Sequence, residues 1–326
     1  MEIGGRYSYA VVAGRPHERP SVILGFEGGG PRREPERREA MWCERIGGQT
    51  RQEGKLGYRG RRWLVLATAV CLLPTVGAAR AQSDRNDERL RLERLLADGK
   101  ESALVDWFRQ NADQTLPFID SYLEGGLKDI ERGGDSASAQ ASFDRAVKFA
   151  AAADRAFDET IFSEYAKSFS GWDAEQRKRF RQGQRKFREA RTVNDPKTIE
   201  KLQRESLEFA RPLGDWWGTA MALGGLGEAQ LVTKQYAAAR DSLTEAARIN
   251  GRLRLRQDQL IALLGAAAAE LELSNPDAAL ELLATAEKLV KPDDPAELTA
   301  KLRQTSARAR SAKPAGGPSG KSDEHP

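Results

Sequence analysis

The chain has 326 residues, 31% of them charged and 7% aromatic, with a formal net charge of +4. That length allows one large or two ordinary domains, and the balance suits an exposed, helix-rich protein better than a sheet enzyme with a deep aromatic core. The positive charge does not argue for a nucleic-acid partner. Residues 1–81 hold 14 Lys and Arg against 8 Asp and Glu, so residues 82–326 carry 38 against 40, a net of −2. Cys43, Cys71 and His17 also precede residue 82, and the remaining histidine, His325, is next to last. The body of the chain therefore has no disulfide, Cys/His metal site, Cys nucleophile or His base, and the expectation is a non-enzyme with no cofactor.

Residues 1–60 are rich in Gly, Arg and Glu and show no sustained hydrophobic period. They read as a disordered extension or as the product of a start codon placed too early. Residues 61–81 read as a secretory signal peptide. Lys55, Arg59, Arg61 and Arg62 precede the apolar run Trp63–Ala78, and Ala79-Arg80-Ala81 follows it as a cleavage site. The run would rise about 24 Å as a helix, short of a ~30 Å hydrocarbon core, and it contains Pro74. The expected location is periplasmic after cleavage; the alternative is an uncleaved inner-membrane anchor.

From residue 84 the apolar spacing is helical throughout. The pattern predicts helices near 85–98, 101–111, 116–132, 136–153, 157–168, 173–193, 196–211, 215–233, 236–250, 255–273, 276–290 and 295–311. Asp195-Pro196, Asn275-Pro276 and Asp294-Pro295 each place an N-cap before a proline at the first helical position. Gly133-Gly134 and Gly251 are expected to end helices. Residues 313–326 are polar and read as a disordered tail.

Within this run the pattern repeats. Residues 215–250 carry Leu226-Gly227 and then Tyr236, Ala239, Leu243 and Ala246. Residues 258–290 carry Leu264-Gly265 and then Ala279, Leu283 and Ala286, with two extra residues at the turn. Second-helix copies occur at Ala139, Phe143, Ala146 and at Ile199, Gln203, Ser206, the latter running into Leu213-Gly214-Asp215. This resembles the tetratricopeptide repeat family in its longer variant of about 40 residues, clearly over 215–290 within a repeat region at 215–312; in the helical region 82–214 it thins to degenerate hairpins over 112–214 and is absent from 84–111. The resemblance implies an all-α solenoid of antiparallel helix pairs. Glycine and alanine would let backbones approach while Leu243 and Leu283 fill the space between.

Other features have bland readings. Of the adjacent Trp216 and Trp217, one is expected in the core and the other partly exposed. Leu223–Gly227 lacks the ending of a phosphate loop and reads as close helix packing. Arg252, Arg254 and Arg256 read as a solvated turn. Gln176–Arg191 carries eight Lys and Arg between 177 and 191, so Arg181 and Arg185 are candidates for docking an acidic partner.

The resemblance further implies a concave face lined by first helices: Met221, Gly224, Glu228 and Val232, then Gln259, Ala262, Ala266 and Glu270. These suit an apolar groove for a helix or an extended peptide. The resulting expectation is a non-catalytic interaction scaffold in a bacterial envelope, binding a protein and not nucleic acid. The alternatives are a membrane-anchored scaffold, a self-associating protein, and an envelope hydrolase using carboxylates.

Overall fold

A computed structural model describes residues 7–11, 22–26 and 86–312. The signal-like segment at 61–81, the tail at 313–326 and most of the 1–60 extension lie outside the described residues. The chain forms two compact units, Met1–Arg94 and Leu95–Pro326. In the first, β1 (Tyr7–Val11) and β2 (Val22–Phe26) pair antiparallel, with Tyr7 opposite Phe26 and Val11 opposite Val22. The sequence reading has no regular element there. The Gly, Arg and Glu that dominate residues 1–60 point to disorder, and they outweigh two five-residue runs, YSYAV and VILGF, whose Tyr, Val, Ile and Phe favour strands.

From residue 86 every described element is helical: a helix over 86–97 (α1), then α2 (Glu101–Gln110), α3 (Ala112–Glu131), α4 (Ser136–Phe157), α5 (Ile161–Gly171), α6 (Ala174–Ala190) and α7 (Pro196–Ala210). A 3-10 turn at Arg211–Leu213 leads into α8 (Trp216–Val232), followed by α9 (Tyr236–Arg252), α10 (Arg256–Glu272), α11 (Pro276–Glu287) and α12 (Ala296–Ala312). From α6 to α12 each helix packs on the next in the chain, and α10 also reaches α8 and α12.

The corners from α7 onward recur with a fixed period. Gly214, Lys234, Arg254 and Ser274 all adopt left-handed backbone, with φ of 67°, 61°, 60° and 62°, one every twenty residues. At Lys234 the backbone N–H donates to the Leu231 carbonyl and that of Gln235 to Gln230. The corresponding pairs are Arg254 to Gly251 with Leu255 to Asn250, and Ser274 to Leu271 with Asn275 to Glu270. This is the Schellman arrangement, which satisfies carbonyls a helix end leaves open. Three helices of seventeen residues each, α8, α9 and α10, result.

Several predicted boundaries move for identifiable reasons. Gly133 and Gly134 do close α3 in a Schellman turn, donating to Ile130 and Asp129. Gly251 does not end α9; the helix runs through it to Arg252, and the chain turns at Arg254, a non-glycine in the left-handed region. Pro117 lies inside α3, which starts at Ala112. The α5 helix starts at Ile161 because the Asp154 carboxylate, eight and nine residues upstream, accepts from the backbone N–H of Phe162 and Ser163 at 3.0 Å. Asp195 caps α7 as expected, through the Thr198 N–H at 2.9 Å. Asn275 makes no cap bond with its side chain; it donates to Glu270 instead. Asp294 turns back to the Lys291 N–H and to Arg256.

The core changes character along the chain. In α2–α4 it is aromatic: Phe118 meets Phe149 at 4.9 Å between ring centres, and Tyr122 and Trp107 each at 5.4 Å. In α8–α11 it is built from Ala and Leu around a buried Leu243 packed with Ala239, Ala266 and Ala269. Small residues let these helices approach closely, so the space each leucine fills is tightly bounded.

Candidate functional site

The second helices line up at an interval of 40 residues: Ala239 with Ala279, Leu243 with Leu283 and Ala246 with Ala286, all essentially inaccessible. Ala139, Phe143, Ala146 and Ile199, Gln203, Ser206 are buried as well. Three of these copies, those centred on Phe143, Gln203 and Leu243, face a glycine. A Cβ on Gly126 would come within 2.8 Å of Phe143, one on Gly225 within 2.5 Å of Gln203, and one on Gly227 within 2.4 Å of Leu243.

The first helices do not follow the spacing that Leu226-Gly227 and Leu264-Gly265 suggested. The corners at 233–235 and 273–275 have the same length, with no extra residues, so the equivalent of Gly227 is Ala267 rather than Gly265. The two glycines resemble one another because both abut Leu243, from α8 on one side and from α10 on the other; a Cβ at Gly265 would meet it at 3.0 Å. A two-residue slip turns a helix face by about 200°. Consequently Ala262, Ala266 and Glu270 do not lie on the α8–α10 face expected of them. All three are buried, Ala266 inside the Leu243 cluster, while Glu270 accepts from Asn275 and lies 3.9 Å from Arg240. Gln259 lies over the end of α9, where a Cβ on Gly251 would meet it at 2.6 Å.

On α8 the assigned positions stand as half-buried residues: Met221, Glu228 and Val232 occupy the face opposite the buried Leu223, Leu226 and Gln230. Gly224 has open space where a Cβ would be. Shifting by 40 gives the matching face of α10, with half-buried Ile261 and Ala268 and exposed Glu272. Trp217 is core and Trp216 half-exposed, and the Leu223–Gly227 run lies wholly within α8.

Ionisable groups from two neighbouring first helices act on Glu228 at this face. Burial pushes the Glu228 carboxyl up to about 7, opposed by Lys301 on α12 and reinforced by Asp258 on α10. Burial also raises Asp258, and it lowers the Lys301 ammonium against the pull of Glu228. Glu228 is half-buried, so its desolvation reflects a recess rather than full enclosure. A carboxyl with a raised folded-state pKa holds its proton in the folded chain while the unfolded chain loses it near 4.5, so stability falls as pH rises through about 4.5–7. Glu228→Gln removes that loss. The variant is expected to melt above wild type at about pH 8 and level with it below about pH 4.5; thermal scans at the two values check this, and an equal offset at both refutes it.

The arginines read as a free basic surface are largely engaged within the chain. Arg181 contacts Glu131 at 2.6 Å and Glu124 at 3.0 Å, both on α3, whereas Arg185 stays exposed. Arg252 pairs with Glu159 at 3.0 Å. Arg254 donates to the Phe157 carbonyl at 3.2 Å and stacks 4.7 Å over its ring. Arg256 forms two 2.7 Å bonds to Asp294 and donates to the Leu289 carbonyl. The solvated-turn reading of 252–256 is therefore replaced by a set of tertiary anchors; their partners lie 33 to 97 residues away, too far for local pattern to reveal.

No family model matches this chain, and no curated protein does. Its chemistry must be read from its own residues. Among the described residues no group of three or more His, Cys, Asp or Glu could hold a metal ion, and no helix is long and apolar enough to cross a membrane. The second helices carry a feature the sequence reading missed, an open groove of about 670 Å³ between α9 and α11. Its lining includes Arg240, Arg248, Glu270, Ala278 and Leu282.

Proposed function

We propose that residues 215–312 form a tetratricopeptide-like solenoid that serves as a non-catalytic interaction scaffold, exported to a bacterial envelope. The observation that carries this reading is the twenty-residue recurrence of left-handed corners at Gly214, Lys234, Arg254 and Ser274. Identical corners give helices of equal length, and a 40-residue hairpin interval keeps the same face of every first helix turned the same way. That face offers Met221, Val232, Ile261 and Ala268 as apolar surface around Glu228, which suits an amphipathic helix or extended segment of a protein partner. The acidic residue favours a partner with a basic side chain among its apolar ones.

A photoreactive residue placed at Met221 or Ala268, with Thr244 on the opposite side of the stack as control, tests the assignment in the producing cell. One partner crosslinked from 221 and 268 but not from 244 supports it; crosslinking without preference for a face overturns it. Export is tested separately, by fractionation and N-terminal sequencing. A soluble periplasmic chain beginning at Gln82 supports cleavage, and a membrane-bound chain retaining Trp63 supports the anchored alternative.

A further inference from the structure

The described helices of the second unit fall into two groups, α2–α5 and α6–α12, and all extensive helix-against-helix packing lies within one group or the other. What joins them is of two kinds. At the α5–α6 junction the joint is aromatic. Phe169 stacks on Trp172 with ring centres 3.9 Å apart, Phe180 closes on both at 5.0 and 4.9 Å, and the Trp172 indole N–H donates to the Leu213 carbonyl at 3.0 Å.

Beside that joint the Ser168 hydroxyl on α5 donates to the Gly214 carbonyl at 3.3 Å. Elsewhere the junction is polar and its ionic contacts are sorted by charge, with the cations from α6–α12 and their acceptors from α2–α5. Arg181 binds Glu124 and Glu131, Arg252 binds Glu159, and Arg254 binds the Phe157 carbonyl and ring. Lys291 binds Asp113 at 2.6 Å, and Arg256, held by Asp294, reaches Asp113 at 3.6 Å. The Nε atoms of Arg254 and Arg256 are buried with no hydrogen-bond partner, so this seam is less completely satisfied than a core.

We infer that α2–α5 is a hinged lid, pivoting at Trp172 and held shut on α6–α12 by a charge-sorted seam that ionic strength opens. Apolar contact keeps the pivot together in salt, while partly exposed ion pairs weaken as the screening length drops from about 10 Å at 0.1 M to about 3 Å at 1 M. The inference stands whatever occupies the α8–α10 face.

The test uses the full chain with Cys43 and Cys71 changed to Ser and spin labels at Lys148→Cys on α4 and Thr244→Cys on α9. Electron–electron distance measurements are expected to show one short distance at about 50 mM NaCl and an added longer population at about 1 M. Arg252→Glu is expected to raise the longer population at low salt, and Arg252→Glu with Glu159→Arg to return it to the starting value. A distance unchanged by salt, with helical circular dichroism intact, overturns the inference. If Arg252→Glu loses helical signal, the salt series on the labelled parent decides alone.

Discussion

Replacing Leu243 by alanine is expected to lower the unfolding free energy by about 3–5 kcal/mol, as for other fully buried leucines truncated in close-packed cores. Leu243 is 1% exposed, and its neighbours Ala239, Ala266 and Ala269 are too short to move into the space it leaves. Gly227 and Gly265, which flank it, have no side chain to contribute. Only the partly buried Leu231 and Leu282 also pack on this cluster, so a cavity that they do not fill places the substitution at the upper end of the range. Urea unfolding followed by helical circular dichroism measures it. A loss below about 1.5 kcal/mol would mean that the helices close over the gap and that Leu243 does not set their spacing.

Two glycines of α8 are expected to respond to alanine with opposite signs. A helix-interior glycine normally costs roughly 0.5–1 kcal/mol relative to alanine, so Gly224→Ala, with nothing within 4 Å of its new methyl, should stabilise by that amount. At Gly227 the methyl would stand 2.4 Å from Leu243 Cγ, a branch point rather than a flexible end, and Leu243 cannot retreat because Gly265 backs it on α10. Overpacking of that kind costs about 1–3 kcal/mol and outweighs the helix gain, while Gly227→Leu adds three more carbons to the same clash. Paired with Leu243→Ala, Gly227→Ala should cost less than the two losses added, because the methyl enters the cavity; neighbouring sites couple in this way. Melting temperatures of the four variants decide the matter, and equal behaviour of Gly224→Ala and Gly227→Ala would rule out the close approach at 227.

Much of the helical architecture is legible in the sequence because its signals are local. Asp195-Pro196, Gly133-Gly134 and the spacing of Ala239, Leu243 and Ala246 each act within one or two turns of helix. Misplaced features depend on partners far along the chain. The start of α5 is set by Asp154 from the preceding helix, and the Asp294 carboxylate is drawn from its cap position to Arg256, 38 residues away. The open face of α10 was lost for a more instructive reason. Gly227 and Gly265 look like equivalent members of a repeat, yet they share one leucine from opposite sides, and a match built on them slips by two residues. The left-handed corners give the correct interval, but Lys234, Arg254 and Ser274 carry none of the usual glycine signal for that backbone.

Because the corners at Lys234 and Ser274 share one geometry, the segment 235–274 is expected to be removable as far as helix packing goes, with the Arg252, Arg254 and Arg256 anchors lost along with it. Splicing Lys234 directly to Asn275 would seat α11 where α9 had been and bring Leu283 opposite Gly227, recreating the knob and its socket with no new corner to build. A chain organised in this way can gain or lose reach in whole-hairpin steps, whereas excising a single helix would leave its neighbours running in the wrong direction.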